Sequence, residues 1–349
     1  MAMYHQLIIV LSLAVVLHAH TVEWEIKRQE NYQLSTDYLN AETAWMCEKH
    51  NLVIPTNIKD IPPKPLATKD YIEWEVGTPP QYLKMWPDTF STITQIRQKT
   101  GSLLSFSSNS QNGLAYIVNI ITVIASFVIT ITFGSVNTPL QVFSNEKDNI
   151  PPNVGGICGV ANNVGETSFI YQMLQKQAID NPVVTLSFLY PTNERAGVFA
   201  AGAWEPAGYV QRTTVKELDN WKIGMKSMYY GSNRIAEEFP AIIDSTCSSL
   251  SIGDEAVFNG LMLLIGAYRV NGNVFSLRCS SVSSLEPIRI TMGNTNDLWI
   301  QPSNYIHKVG DICIVAVIHT PGQYILGGTV LSGRATQRDF NNKTITFYE

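Results

Sequence analysis

The chain has 349 residues, with 24 Lys and Arg against 29 Asp and Glu, a formal net charge of -5, and 45% apolar against 15% charged residues. That length accommodates two domains of ordinary size, each with its own core. The acidic balance and the lack of any Lys/Arg cluster exclude a nucleic-acid partner, whose binding rests on neutralising phosphates.

Abundant Thr, Ser, Val and Ile predict a mainly β fold. At the start, an apolar block from Leu7 to Leu17 leads to His18, Ala19 and His20. Residues 1–20 therefore have the length and order of a secretory signal peptide, although the n-region lacks Lys and Arg; an uncleaved anchor is the alternative. Residues 21–64 mix charges of both signs, carry a predicted helix from Thr36 to Lys49 and end in Ile61-Pro62-Pro63. Composition fits either a propeptide or a disordered arm. Beyond Ala67, short β-branched runs alternate with Gly, Pro, Asn and Ser clusters, the spacing of many short strands joined by turns.

From Leu114 to Phe133 there is no charge. The stretch is long enough to cross a membrane, but its Ile, Val and Thr content and Asn119 predict two adjacent strands, and no stable span is expected. Ser168 to Ala178, with Phe169, Met173, Leu174 and Gln177, predicts a short helix. Five cysteines, an odd number in an exported chain, leave at least one thiol unpaired. The six histidines, among them His5, His18, His20 and His50, show no metal-ligand spacing, so neither metal nor cofactor is expected. Ser248 and Ser249 have no His-Asp pair near them in sequence, which leaves a serine hydrolase unsupported. Asn342-Lys343-Thr344 is a glycosylation sequon, meaningful in an exported chain.

Most aspartates form turns or surface charges. Asp88 and Asp244 differ in following apolar runs, Tyr82 to Trp86 and Ala241 to Ile243. Their surroundings carry a resemblance. Tyr71-Ile72-Glu73-Trp74-Glu75-Val76-Gly77-Thr78-Pro79-Pro80-Gln81 resembles the first mature strand and turn of pepsin-like aspartic peptidases. Asp88-Thr89-Phe90-Ser91-Thr92 stands where that family has its first Asp-Thr-Gly-Ser-Ser loop, and Ala241 to Ser248 is similar to the second, Asp-Thr-Gly-Thr-Ser. Gly156-Ile157-Cys158-Gly159-Val160, Tyr324 to Gly328 and Asp339 to Lys343 are similar to further family strands.

The resemblance implies two β-rich lobes related by a pseudo-dyad, with a cleft between them and one catalytic aspartate, Asp88 or Asp244, from each. It divides the chain into a signal peptide (1–20), a propeptide-like segment (21–64), an N-terminal lobe (65–195) and a C-terminal lobe (196–349). It implies a disulfide between Cys279 and Cys313, loop-tying hydroxyls on Thr89 and Ser245, a donor hydroxyl on Ser91 and a flap tyrosine at Tyr116. The expected partner is a peptide or protein in the cleft of a monomer, secreted or lumenal to an acidic compartment. Family propeptides are markedly basic, whereas residues 21–64 are balanced, which predicts no electrostatic hold on the cleft.

The departures concern the catalytic loops. Phe90 and Thr246 replace glycines whose backbone N–H approaches a carboxylate. Cys247 replaces a hydroxyl by a weaker donor. Tyr116-Ile117-Val118-Asn119 has lost the flap glycines, and Gln95 stands where the family has a Trp. Four altered features together favour a catalytically impaired relative that binds peptide or protein in the cleft; the alternative is a working endopeptidase at acid pH. The direction of the Phe90 ring discriminates between them.

Overall fold

The computed structural model describes residues 21–29, 32, 34–76, 81–97, 126–133, 136–145, 150–161, 168–189, 195–210, 212–292 and 297–349. In the N-terminal half these form strand β1 (Val22–Arg28), helix α1 (Thr36–Lys49), strands β2 (Asp70–Val76), β3 (Gln81–Asp88), β4 (Gln95–Arg97), β5 (Ser126–Phe133), β6 (Val136–Asn145) and β7 (Gly156–Gly159), helix α2 (Phe169–Gln175), and strands β8 (Val183–Phe188) and β9 (Arg195–Ala201). The C-terminal half contains β10 (Arg212–Asp219), β11 (Lys222–Tyr230), β12 (Asn233–Ile243), β13 (Leu250–Ile252), helix α3 (Glu255–Ile265), β14 (Tyr268–Asn271), β15 (Val274–Arg278), β16 (Ile288–Thr291) and β17 (Leu298–Ile300). It closes with helix α4 (Pro302–Tyr305), β18 (Ile306–Val309), β19 (Ile312–Val315), β20 (Val317–His319), β21 (Tyr324–Leu326), helix α5 (Gly328–Leu331), β22 (Arg334–Asp339) and β23 (Thr344–Tyr348).

One pairing pattern occurs twice. In the first half β3 runs parallel to β7, which β4 pairs antiparallel, while β4 runs parallel to β6. In the second half β12, β21, β13 and β20 repeat those relations strand for strand. Each copy delivers an aspartate at the end of its long strand, Asp88 from β3 and Asp244 just after β12. A six-stranded antiparallel sheet, β1-β9-β8-β22-β23-β10, joins the halves. The architecture is mainly β and bilobal, as the resemblance implies.

The segment before residue 65 is ordered rather than a loose arm. Along β1 the apolar Trp24 and Ile26 alternate with Glu23 and Glu25, and the apolar pair is buried, which suits a strand with one face on a core. α1 keeps the predicted bounds, because Ser35 accepts the Tyr38 N–H at 3.1 Å as N-cap and Lys49 lies in the last turn, where a cation suits the helix dipole. The helix buries Leu39, Ala44, Trp45, Met46 and Cys47, with Trp45 stacked on Trp86 at 5.5 Å between ring centroids.

α2 is shorter than predicted at both ends. Gln177 takes φ 56°, and the Ala178 N–H returns to Met173 O at 2.9 Å, a C-terminal cap that stops the helix two residues before Gln177. Of the uncharged stretch, Ser126–Phe133 is strand β5, paired antiparallel with β6. Leu114 to Ala125 lies outside the described residues, and so do residues 1–20. Among the described residues no helix is long and apolar enough to cross a membrane. Cys279 and Cys313 form a disulfide, while Cys47, Cys158 and Cys247 are buried free thiols.

Candidate active site

The two aspartates meet because each loop is seated by a glycine of the opposite strand in its own half. A Cβ on Gly159 would lie 2.3 Å from Ile93 O and 2.6 Å from Ser91 O; one on Gly327 would lie 2.3 Å from both Cys247 O and Ser249 O. Backbone bonds complete the seating, Val160 N–H to Asp88 O at 2.9 Å and Gly328 N–H to Cys247 O at 2.7 Å.

Across the pseudo-dyad, four reciprocal hydrogen bonds tie the loops together. Thr89 Oγ1 donates to Ile243 O at 2.8 Å and accepts from the Ser245 N–H at 3.0 Å. Ser245 Oγ donates to Pro87 O at 2.8 Å and accepts from the Thr89 N–H at 3.2 Å. Each hydroxyl uses both its donor and an acceptor site, so neither can be removed without orphaning a buried backbone group.

The altered positions behave differently from what the missing glycines predict. The Phe90 N–H reaches Asp88 Oδ1 at 2.8 Å, and the Thr246 N–H reaches Asp244 Oδ1 at 2.9 Å. Neither residue has a positive φ, so the loop turns do not need glycine and both amides keep their approach. Ser91 Oγ donates to Asp88 Oδ2 at 2.5 Å. At the second aspartate the hydroxyl comes from Thr246, whose Oγ1 lies 2.6 Å from Asp244 Oδ1, while the Cys247 thiol turns away to Ser249 O. The Phe90 ring faces the cleft side and lies against His50, 4.2 Å between centroids. Tyr116 lies outside the described residues.

The end of α1 occupies the site. Lys49 Nζ donates to Asp88 Oδ1 at 3.0 Å and sits 3.2 and 3.1 Å from the two Asp244 oxygens, with Thr246 Oγ1 at 2.5 Å. His50 Nε2 lies 2.9 Å from Asp244 Oδ2; a carboxylate oxygen accepts, so that nitrogen carries the proton. Asp88 and Asp244 are both buried. Burial alone would push the Asp244 carboxyl up, but the Lys49 ammonium and His50 outweigh it and hold it well below the usual carboxylate range. Burial would likewise lower Lys49, yet Asp244 and Asp88 keep it above its ordinary value.

Two turns before Lys49 on the same helix, buried Glu42 accepts from the Ser248 N–H and the Ser249 hydroxyl, each at 2.6 Å, and burial raises its carboxyl above the ordinary value. The hold is thus local: one ammonium between two carboxylates, whatever the segment's net charge. Neither Lys49, His50 nor Glu42 stands out in the sequence. The signal available was a Lys-His pair closing a predicted helix in a segment expected to cover a cleft.

The family model described as "Eukaryotic aspartyl protease" matches residues 81–349. The chain belongs to the eukaryotic aspartyl protease family. Among curated relatives, Vacuolar protease A of Neurospora crassa is 23% identical over 273 residues, 70% of this chain and 67% of that protein. Renin of Canis lupus familiaris is also 23% identical, over 329 residues, 81% of this chain and 79% of its own. The crystal structure of an aspartic proteinase from Irpex lacteus superposes with a TM-score of 0.67 at 18% identity, covering 81% of this chain and 94% of that one. That last likeness concerns the fold. Families of this kind bind peptide substrates in the cleft between the halves, and here the cleft holds the chain's own helix end.

Proposed function

We propose that the chain is an aspartic endopeptidase kept latent by its own N-terminal segment, with Asp88 and Asp244 as the catalytic pair. The observation that supports it is the single Lys49 ammonium within 3.2 Å of both carboxylates, which brings the two to one shared donor. Once Lys49 and His50 leave, two carboxylates so near cannot both stay ionised, and they share a proton. The ionised member takes a proton from water as its oxygen attacks the peptide carbonyl carbon, while the protonated member donates to the carbonyl oxygen. Collapse of the tetrahedral intermediate breaks the C–N bond, with a proton passing to the leaving nitrogen. Phe90 N–H, Ser91 Oγ, Thr246 N–H and Thr246 Oγ1 fix the carboxylates in place for these transfers.

On this reading residues 21–64 are the propeptide, 65–195 and 196–349 the two lobes, and Tyr116 the flap tyrosine. The protein works as a monomer, secreted or in an acidic lumen, in keeping with the vacuolar label of one relative. Incubating the chain freed of residues 1–64 with an unfolded protein across pH 3 to 7 should give cleavage at the acid end, blocked by a general aspartic-peptidase inhibitor.

The Phe90 ring beside His50 favours a second reading, a cleft that binds peptide without cutting it. Peptide binding by the segment-free chain with no cleavage at any pH would establish that reading instead. Phe90→Gly in the segment-free chain is expected to raise kcat/KM about tenfold, which asks for only ~1.4 kcal/mol of barrier. Thr246→Gly should lower it, because the Asp244 hydroxyl donor is lost. A Phe90→Gly variant no faster than the parent would show that the ring leaves the substrate path clear.

A further inference from the structure

A cavity of about 460 Å³ lies where the N-terminal segment meets the body, and it reaches the second catalytic loop at Ser245 and Thr246. Its walls include Arg28 and Leu34 from the segment and Lys69, Trp86, His307 and Leu331 from the body. The charge is one-sided. Asp70 is the acidic residue in the wall, and its carboxylate is already taken by Arg28 Nε at 3.3 Å. The Lys69 ammonium has no hydrogen-bond or ion-pair partner among the described residues, although the residue is half-buried. Burial, and secondarily Arg28, lowers Lys69 from its ordinary value. Burial and the Lys69 charge lower the His307 imidazole to about 4. A half-buried cation without a bonded partner, beside an imidazole that its charge suppresses, is an arrangement that an anion would relieve on both groups. Trp86, Leu34 and Leu331 give part of the wall an apolar face, beside the hydroxyls of Ser245, Thr246 and Ser248 and a further cation, Lys308, so a bare inorganic ion would leave that face uncovered.

We propose that this cavity binds a small organic anion, its carboxylate set among Lys69, Arg28 and His307 and its apolar body against Trp86, Leu34 and Leu331. The volume falls in the range of small-molecule sites. Because Arg28 and Leu34 come from the segment while the other groups come from the body, the site is complete only with the segment in place. A ligand that binds the docked arrangement alone stabilises it by mass action. The site itself does not depend on whether the dyad is active, and its effect on latency is what rests on the reading above.

Calorimetry on the full chain at pH 7 tests the idea with three probes at matched ionic strength: 3-phenylpropanoate, its neutral amide, and inorganic phosphate. The carboxylate is expected to bind saturably at one site, at least tenfold more tightly than either the amide or phosphate. Lys69→Met, which removes a half-buried cation and should fold, is expected to weaken it at least tenfold; Lys69→Gln serves if the Met variant does not melt cooperatively. The readout is binding by the full chain and requires no peptidase activity, so a failed peptidase reading leaves this result intact. Equal binding of carboxylate and amide, binding of phosphate as tight as that of the carboxylate, no saturable binding, or unchanged affinity in a folded Lys69 variant would each overturn the proposal.

Discussion

Replacing Lys49 with Met is expected to open the cleft of the full-length chain at pH 5 and switch on cleavage of a peptide substrate that the parent leaves intact. The ammonium bridges two buried carboxylates, and removing one partner of such a cluster leaves charge buried without compensation, at a cost of about 3–5 kcal/mol. That corresponds to a shift of about 10²- to 4 × 10³-fold in the ratio of open to closed chains. The sign of the pH effect follows from the same contacts. Asp244 is depressed in the closed form, so its contribution is present above the ordinary aspartate value of about 4 and is lost as pH falls further, through its lowered closed-state value. Lys49 is raised, so its contribution is already complete across the acid range and adds no transition there. The parent should therefore release its segment only below about pH 4, whereas the Met variant should be open at pH 5 and above. Glu42 would still anchor the helix through Ser248 and Ser249, so the segment should loosen at its C-terminal end first. A Lys49→Met chain that stays as inactive at pH 5 as the parent, while the segment-free chain cuts the same peptide, would remove Lys49 from the latch.

What the sequence revealed and what it concealed divide along one physical line. Motifs that act within a strand or a single turn were legible: Asp88 and Asp244 after apolar runs, the strands around Gly159 and Gly327, and the α1 bounds from Thr36 to Lys49. Contacts that depend on the assembled fold were not. Lys49 meets Asp244 across 195 positions and Glu42 meets Ser249 across 207, and no local pattern marks either pair. Net charge misled because it averages over a segment, whereas a buried ammonium acts at 3 Å in a low dielectric, where one group outweighs several exposed ones. The loop glycines misled for a different reason. Their absence matters where φ is positive or a Cβ collides, and at positions 90 and 246 φ is not positive and both amides reach their carboxylates. Thr246 even brings a hydroxyl to the oxygen that Cys247 no longer serves.

Substituting either aspartate by Asn is expected to reduce peptidase activity of the segment-free chain by about 10³-fold or more, since each removes one half of a shared acid-base pair. The two variants should differ, however, in the full-length chain. Asp244 accepts from Lys49 through both oxygens and from His50, while Asp88 accepts from Lys49 through one oxygen. Asp244→Asn therefore takes the opposing charge from two basic side chains at once, whereas Asp88→Asn leaves Lys49 paired with Asp244 and His50 undisturbed. Hydrogen exchange of the α1 amides at pH 7 reads the difference, and protection should fall further in Asp244→Asn than in Asp88→Asn, with the double variant lower still. The ordering is worth measuring because activity cannot report it, both single variants being inactive. Activity within tenfold of the parent in either segment-free variant would mean that Asp88 and Asp244 are not the catalytic pair. Equal loss of α1 protection in the two full-length variants would mean that Lys49 is held by the pair as a whole, and that His50 adds nothing to the grip on Asp244.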